Sequence, residues 1–162
     1  MNTLADCAIA RHGAEFASAS ITLQPTLSAP RQARIFTRQS LYRRGEDEQL
    51  IEAAVLVVCD PVTNAVRHGA QPPPPGRRCE RIRPSLITLT HTLHLDALHA
   101  GARDGSGIRP APRSAEREDD CGRGLAIIGA LAERWTSGQA PGGGKWVRAC
   151  MSRGNALFDG GR

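Results

Sequence analysis

Hydrophobic residues recur at helical spacing through the centre of the chain. Apolar side chains at positions 50, 53, 54, 57 and 58 follow the pattern of one helix face, and acidic residues at 46–48 favour a helix N-terminus. Pro61 interrupts the pattern, because proline inside a helix removes one hydrogen bond and costs about 3 kcal/mol. Two interpretations stay open: one long kinked helix, or a buried strand over 53–59 with Asp60 as N-cap of a new helix.

The flanking segments predict further helices and several strands. A first helix is expected from Ser28, an N-cap followed by a proline, to Gly45, since glycine often follows a helix end. A buried helix is expected over 125–135. Segments of strand composition predict four strands, the second and third as an antiparallel pair: 21–23, 86–90, 98–102 and 145–151.

Three polar residues are spaced four apart in the segment 55–69. If this segment is helical, Asp60, Asn64 and His68 lie in one row along a helix face. A carboxylate, an amide oxygen and an imidazole in one row can serve a hydrated metal ion and a water, and hard oxygen ligands suit Mg²⁺. A helix with a polar solvent stripe gives the same pattern, so this stretch alone leaves both interpretations open.

Two glycine-bearing motifs follow predicted element ends. Asp104 to Gly107 closes a strand, and Gly122 to Leu125 opens a helix. Glycine lets backbone approach a ligand closely, and a helix N-terminus offers free N–H groups to phosphate. Asp104 can accept a hydrogen bond from an exocyclic amine such as that of adenine. Each motif alone is typical of a turn or a helix start, and neither fits a P-loop or a Rossmann fingerprint.

Composition narrows the classes of partner. The 162 residues fit one domain, and no apolar run reaches the roughly 20 residues of a membrane span. The net charge of +5 comes from arginine, because Lys145 is the only lysine. Dispersed arginines and 4% aromatic residues argue against nucleic acid as the partner. Five cysteines without a close pair argue against disulfides and a zinc site, and they predict a cytoplasmic protein.

The sequence also predicts the domain organisation. Residues 1–19 are expected to form a flexible N-terminal tail, and 153–162 a disordered C-terminal tail. One domain is expected over 20–152. Within it, the proline- and arginine-rich segment 70–84 predicts an exposed loop insertion.

The order and spacing of these motifs resemble a known superfamily. The run from Asp60 to Gly69 resembles the N-box of the GHKL (Bergerat-fold) ATP-binding proteins, and 103–107 and 122–125 resemble their two glycine boxes. The span from about 21 to 151 is similar to the anti-sigma-factor serine/threonine kinase branch. The resemblance implies an α+β two-layer sandwich, with a mixed, mostly antiparallel sheet and helices on one face. It also favours a continuous helix through the N-box.

The resemblance implies roles for individual residues, with ATP and Mg²⁺ as cofactors. Asp60 would be the general base, Asn64 would hold Mg²⁺, His68 would line the pocket, and Asp104 would bind the adenine amine. The remaining cofactor-binding positions would be Gly105, Gly107, Gly122, Arg123, Gly124 and Leu125.

The chain departs from the superfamily pattern at three points around this site. Asp60 stands where glutamate is usual, one methylene shorter, and Pro61 stands where leucine is usual. Trp146 is expected to replace a hydroxyl residue that commonly lies beside adenine on the final strand. A shorter carboxylate predicts slow chemistry with binding intact, because general-base catalysis depends on hydrogen-bond reach.

Two functions therefore lead. The first is an ATP-binding regulatory kinase that phosphorylates a STAS-type anti-sigma antagonist and binds a sigma factor. The alternative is a non-catalytic ATP- or ADP-binding interaction module with a degenerate N-box. The resemblance also implies a homodimer, for which the arginine-bearing first helix and the first strand, at Ile21 and Leu23, are the candidate surfaces. No membrane association is expected.

Overall fold

The computed structural model describes residues 17–69, 86–105, 129–141 and 143–153. Within these ranges the chain forms two long helices and five strands. In chain order they are β1 (Ala17–Leu23), α1 (Ala29–Tyr42), α2 (Glu48–Gly69), β2 (Ile87–Leu93), β3 (Ala97–Asp104), β4 (Arg134–Gln139) and β5 (Lys145–Ser152).

The five strands form one sheet in the order β1-β2-β3-β5-β4. All four pairings among these described strands are antiparallel, which agrees with the expected, mostly antiparallel sheet. Short turns join β2 to β3 and β4 to β5, and a short connection can join only antiparallel neighbours. The predicted pairing of segments 86–90 and 98–102 is confirmed, as is the α+β sandwich.

One face of the sheet carries the core. Along β2 the side chains alternate, with Ile87, Leu89 and Leu93 buried and the intervening threonines partly exposed. Both α1 and α2 pack on this face, and Leu41 of α1 is among the fully buried side chains. The resulting core therefore lies between the helix layer and the sheet.

The helix α2 continues through Pro61, which confirms the single-helix interpretation and makes the strand over 53–59 wrong. Burial explains why the helix survives the proline. Val57, Val58 and Val62 are each at most 2% exposed. Burying one such side chain is worth about 1.5–3 kcal/mol, so the three together exceed the roughly 3 kcal/mol cost of the proline.

The same helix is long and apolar enough, by length and composition alone, to cross a membrane over Glu48–Arg67. This finding differs from the expectation that no apolar run of the sequence reaches the length of a membrane span. Half of that segment is buried inside the domain. This burial is the pattern of a core helix, which the two-layer packing on the sheet accounts for.

The helix ends differ slightly from their predicted positions. Ser28 precedes α1 as expected, but its side chain makes no capping hydrogen bond. The helix ends at Tyr42, and Gly45 lies in the following turn with φ of 74°. Asp47 caps α2, since its Oδ1 accepts a hydrogen bond of 2.9 Å from the Leu50 backbone N–H.

The strand β4 was not predicted. The helix expected to reach position 135 has ended by Ala132, and β4 begins at Arg134. Trp135 packs against the core and pairs with Ala149 of β5. The segment contains one large apolar residue and no apolar alternation, so no strand pattern was visible in it.

Both expected domain boundaries move slightly. Residues 17–19 belong to β1, and Ser18 and Ser20 donate side-chain hydrogen bonds to carbonyls of β2. Arg153 belongs to the folded domain, because it donates to Glu46 at 2.6 Å and to the His94 carbonyl at 2.6 Å. The rest of both tails and the loop 70–84 lie outside the described residues.

Candidate functional site

A pocket opens between α2 and the adjoining ends of β3 and β5. Each of these three elements contributes side chains to the pocket at the periodicity of a helix or a strand. Helix residues four apart and strand residues two apart share one face, so each element presents a short row of side chains to the pocket. The lining residues are Asp60, Pro61, Asn64, Ala102, Asp104, Lys145 and Val147.

The strand register fixes which residues meet in the pocket. Asp104 of β3 lies directly opposite Lys145 of β5, and Ala102 lies opposite Val147. Directly opposed residues in antiparallel strands have side chains about 4.5–5.5 Å apart at Cβ. The aspartate and the lysine are therefore neighbours because of backbone pairing, although they are distant in sequence.

On the helix side, Asp60 and Asn64 are joined by a hydrogen bond. Asn64 Nδ2 donates to Asp60 Oδ2 at 2.9 Å. Because a carboxylate only accepts, the amino end of the amide must face Asp60, and the Asn64 Oδ1 oxygen is directed elsewhere. An amide oxygen next to a carboxylate is a donor set that Mg²⁺ accepts together with phosphate oxygens and water, so these residues fit the metal.

Burial changes the acidity of Asp60. Its position against the sheet raises the pKa of the Asp60 carboxyl through desolvation, while the hydrogen bond from Asn64 and the charge of Arg67 oppose this rise. A raised pKa makes the carboxylate a stronger base than an exposed aspartate.

Two opposite charges are buried on the strand side. Asp104 is 6% exposed and Lys145 is 5% exposed. Lys145 Nζ lies 3.8 Å from Asp104 Oδ2. Lys145 was not among the site residues predicted from the sequence. Alternation counted back from the buried Met151 would have placed it on the inner face with Val147.

Trp146 does not line the pocket, so its expected position beside adenine is wrong. It points to the opposite face of β5, where its ring lies against Gly138 and 5.7 Å from the Arg148 guanidinium carbon. The period of two along a strand explains the difference, because neighbouring residues face opposite sides. The pocket-facing residue at this end of β5 is Lys145.

A glycine holds the Asp104–Lys145 end of the sheet together. Gly144 has φ of 85°, a left-handed conformation that favours glycine. A Cβ atom at this position would overlap the carbonyl oxygen of Asp104. The turn before β5 therefore needs glycine in order to pass against the end of β3.

The structure brings some predicted site residues together and leaves others untested. Asp60, Asn64 and Asp104 line the same pocket. Gly105 lies in a neighbouring recess at the end of β3, beside Arg103. Position 68 lies in the last turn of α2, but its side chain is outside the described part. Three motif glycines and two of their neighbours also lie outside the described residues: Gly107, Gly122, Gly124, Arg123 and Leu125.

Comparison with known proteins identifies the family. The family model of the histidine kinase-like ATPase domain matches residues 23–151, so the chain belongs to this family. The resemblance to the GHKL superfamily is therefore confirmed. No curated protein gave a match. Among solved structures, the chain is similar to the RsbU and RsbW domains of Rv1364c from Mycobacterium tuberculosis, with 23% identity and a TM-score of 0.61. The match covers 85% of this chain and 33% of that one, and it shows the fold.

Proposed function

We propose that the protein is an ATP-binding regulatory protein of the anti-sigma-factor, serine/threonine kinase type. It binds a sigma factor and transfers phosphate from ATP to a hydroxyl of a STAS-type anti-sigma antagonist. One observation carries the proposal: Asp60 and Asn64 of α2 line the same pocket as Asp104 of β3, in a chain of the histidine kinase-like ATPase family. The similarity in fold to a structure that includes an RsbW domain supports the choice of branch.

In this proposal each pocket residue has one task. Asp104 accepts a hydrogen bond from the adenine amine, and Asn64 would hold Mg²⁺, whose charge would stabilise the phosphates as ADP leaves. Asp60 orients the hydroxyl of the antagonist and accepts its proton. Phosphoryl transfer depends mostly on positioning and electrostatics, so a carboxylate set back by about one carbon–carbon bond lowers the rate more than the affinity.

A second candidate is a non-catalytic nucleotide-binding module whose nucleotide state sets its partner surface. The observation that favours it is the engagement of the shortened Asp60 carboxylate by Asn64 at 2.9 Å. A carboxylate held by its own helix is less free to meet a substrate hydroxyl. Pro61, which follows directly, also alters the backbone that aims it.

Phosphate transfer from labelled ATP to a panel of small antagonist-type proteins tests the proposal. We expect slow transfer by the wild type, and a several-fold faster turnover with little change in nucleotide affinity for Asp60→Glu, since proton transfer by a well-placed base is worth about 10²–10⁴-fold. Asn64→Ala should abolish turnover and make nucleotide binding insensitive to Mg²⁺. Asp60→Asn is the matched control, because it keeps the shape and removes the base.

The backbone at Pro61 needs its own variant. If Asp60→Glu gains nothing but Asp60→Glu with Pro61→Leu does, the proline misdirects the carboxylate and the missing methylene does not limit the rate. If the wild type and both variants are silent on every substrate while ATP still binds, the non-catalytic module is the correct function.

We also propose a homodimer and a cytoplasmic location. β1 is an edge strand of the sheet, and an unpaired edge can add a strand from a second copy. In the described part of the chain neither Cys59 nor Cys150 is joined in a disulfide, as suits a reducing compartment. Light scattering that shows only monomer at tens of micromolar, with and without nucleotide, would contradict the dimer.

A further inference from the structure

Lys145 is an unusual residue to find buried in this domain. It is the only lysine of the chain, and it is 5% exposed. Burial removes an ammonium group from water at a cost of several kcal/mol unless partners compensate it. Among the described residues its ion-pair partner is Asp104, at 3.8 Å, which is longer than a hydrogen bond. An ammonium carries three donors, so this contact leaves donor capacity unused.

The position of these ammonium donors indicates which kind of ligand they can bind. Lys145 and Asp104 lie opposite each other in the register and line the same pocket as Asp60 and Asn64. The pocket therefore presents a hydrogen-bond acceptor, the Asp104 carboxylate, beside a hydrogen-bond donor, the Lys145 ammonium. The complementary partner is a ligand edge that carries a donor next to an acceptor.

Adenine has such an edge. Its exocyclic amine is a donor, and the adjacent ring nitrogen N1 is an acceptor. When the amine lies on Asp104, as the proposed function requires, the ring orientation that turns N1 towards Lys145 gives both side chains a complementary partner. Guanine in the same orientation would place its carbonyl oxygen against the carboxylate and its N1–H against the ammonium, so both contacts would be repulsive.

We propose that Lys145 is a base-specificity residue that donates a hydrogen bond to adenine N1. This inference rests on the proposed nucleotide function and adds a second contact to it. A structural ion pair alone explains the lysine poorly, because buried pairs contribute little net stability compared with apolar residues. The strand end that presents the pair is also fixed by Gly144, whose left-handed backbone passes directly against Asp104.

The test uses ATP analogues that change one ring atom. In 1-deaza-ATP the N1 acceptor is replaced by C–H, whereas 7-deaza-ATP loses a nitrogen on the other side of the base and serves as the matched control. Isothermal titration of the wild type should show roughly tenfold or greater loss of affinity for 1-deaza-ATP, since hydrogen bonds to charged groups are worth about that much, and little loss for 7-deaza-ATP.

The variant Lys145→Met then decides whether the lysine is responsible. It should bind ATP and 1-deaza-ATP with equal affinity, because its side chain cannot donate. Lys145→Gln, a shorter neutral donor, should retain part of the preference, and it replaces Lys145→Met in the comparison if circular dichroism shows that the methionine variant is unfolded. A 1-deaza penalty of the same size in the wild type and in the folded variant would overturn the inference.

The outcomes also separate this inference from the proposed function. If the wild type binds neither ATP nor its analogues, the proposed function fails and Lys145 reads no base. If the wild type binds ATP and 1-deaza-ATP equally well, the nucleotide function stands and the role of Lys145 is wrong.

Discussion

Two groups of buried polar side chains lie on the same face of the sheet, but their surroundings and their hydrogen-bond partners differ. His91 of β2 is 1% exposed and lies beneath α1. Its Nδ1 is 3.0 Å from the Ser40 hydroxyl, and its Nε2 is 3.3 Å from the Thr37 hydroxyl. Its ring stacks on Phe36 at 5.2 Å between centroids. Both ring nitrogens and one face of the ring are thus used inside the fold.

The pair Asp104–Lys145, near α2, differs in each respect. Its members carry full charges, their closest approach exceeds hydrogen-bond length, and both line a pocket. A buried polar group whose hydrogen bonds are made within the fold contributes to structure, whereas a charged pair that lines a pocket is also placed to contact a ligand. The comparison teaches that burial alone does not separate the two roles, but the partner geometry does.

The largest effect expected from this comparison is on stability at His91. His91→Ala removes a stacked ring from the core and leaves a cavity, at a cost of about 3–4 kcal/mol in the free energy of unfolding. Nucleotide affinity of the folded fraction should not change. Urea unfolding together with ATP titration measures both quantities. A loss of ATP affinity with stability unchanged would mean that His91 belongs to the ligand site.

The pH dependence of stability sharpens the same contrast. Burial, with a smaller contribution from the charge of Arg44, lowers the pKa of His91 from 6.5 to about 4. Between these values the unfolded chain binds a proton that the folded chain does not. Stability is therefore complete above pH 6.5 and falls as the pH drops towards 4, by about 3 kcal/mol in total.

The variant His91→Gln isolates this contribution, because it removes the titrating group and keeps hydrogen-bonding capacity. The difference in unfolding free energy between wild type and variant should shrink as the pH falls from 7 to 4. A difference that is constant over this range would mean that His91 titrates alike in both states.

Substitution of the Asp104–Lys145 pair is expected to affect ATP affinity and not stability, the opposite of substitution at His91. Asp104→Leu combined with Lys145→Met replaces the ion pair with apolar side chains, which is often neutral or stabilising in buried positions. The double variant should melt at or above the wild-type temperature and lose ATP affinity by roughly tenfold or more, since it lacks both polar contacts. A strongly destabilised double variant that still binds ATP would make the pair structural.

The sequence predicted the helix side of the site better than the strand side. Asp60 and Asn64 are close because a helix brings residues four apart together, which local spacing can show. Whether Pro61 ends that helix depended on burial of the surrounding valines, so only the superfamily resemblance could decide it beforehand. A local pattern does not contain the energy of packing against a distant sheet.

Lys145 was missed because its role depends on strand register. The sequence shows a lysine after a glycine turn, but the pairing of β3 with β5 is a long-range property. The strand β4 was missed for a related reason, since its residues are stabilised by pairing with β5 and carry little pattern of their own. One-residue errors matter here, because they exchange the pocket face for the outer face, as they did for Trp146.

The central claim is that this pocket binds an adenine nucleotide through Asp104, and one calorimetric comparison tests it. Wild type and Asp104→Asn are titrated with Mg·ATP and with Mg·ADP under identical conditions. The amide is a neutral and therefore weaker acceptor, and it places a donor where the carboxylate had its second oxygen. The loss of the charge-assisted hydrogen bond costs about 1–3 kcal/mol, so the affinity of the folded variant should fall at least several-fold. Equal ATP affinity in the wild type and in folded Asp104→Asn would contradict the account.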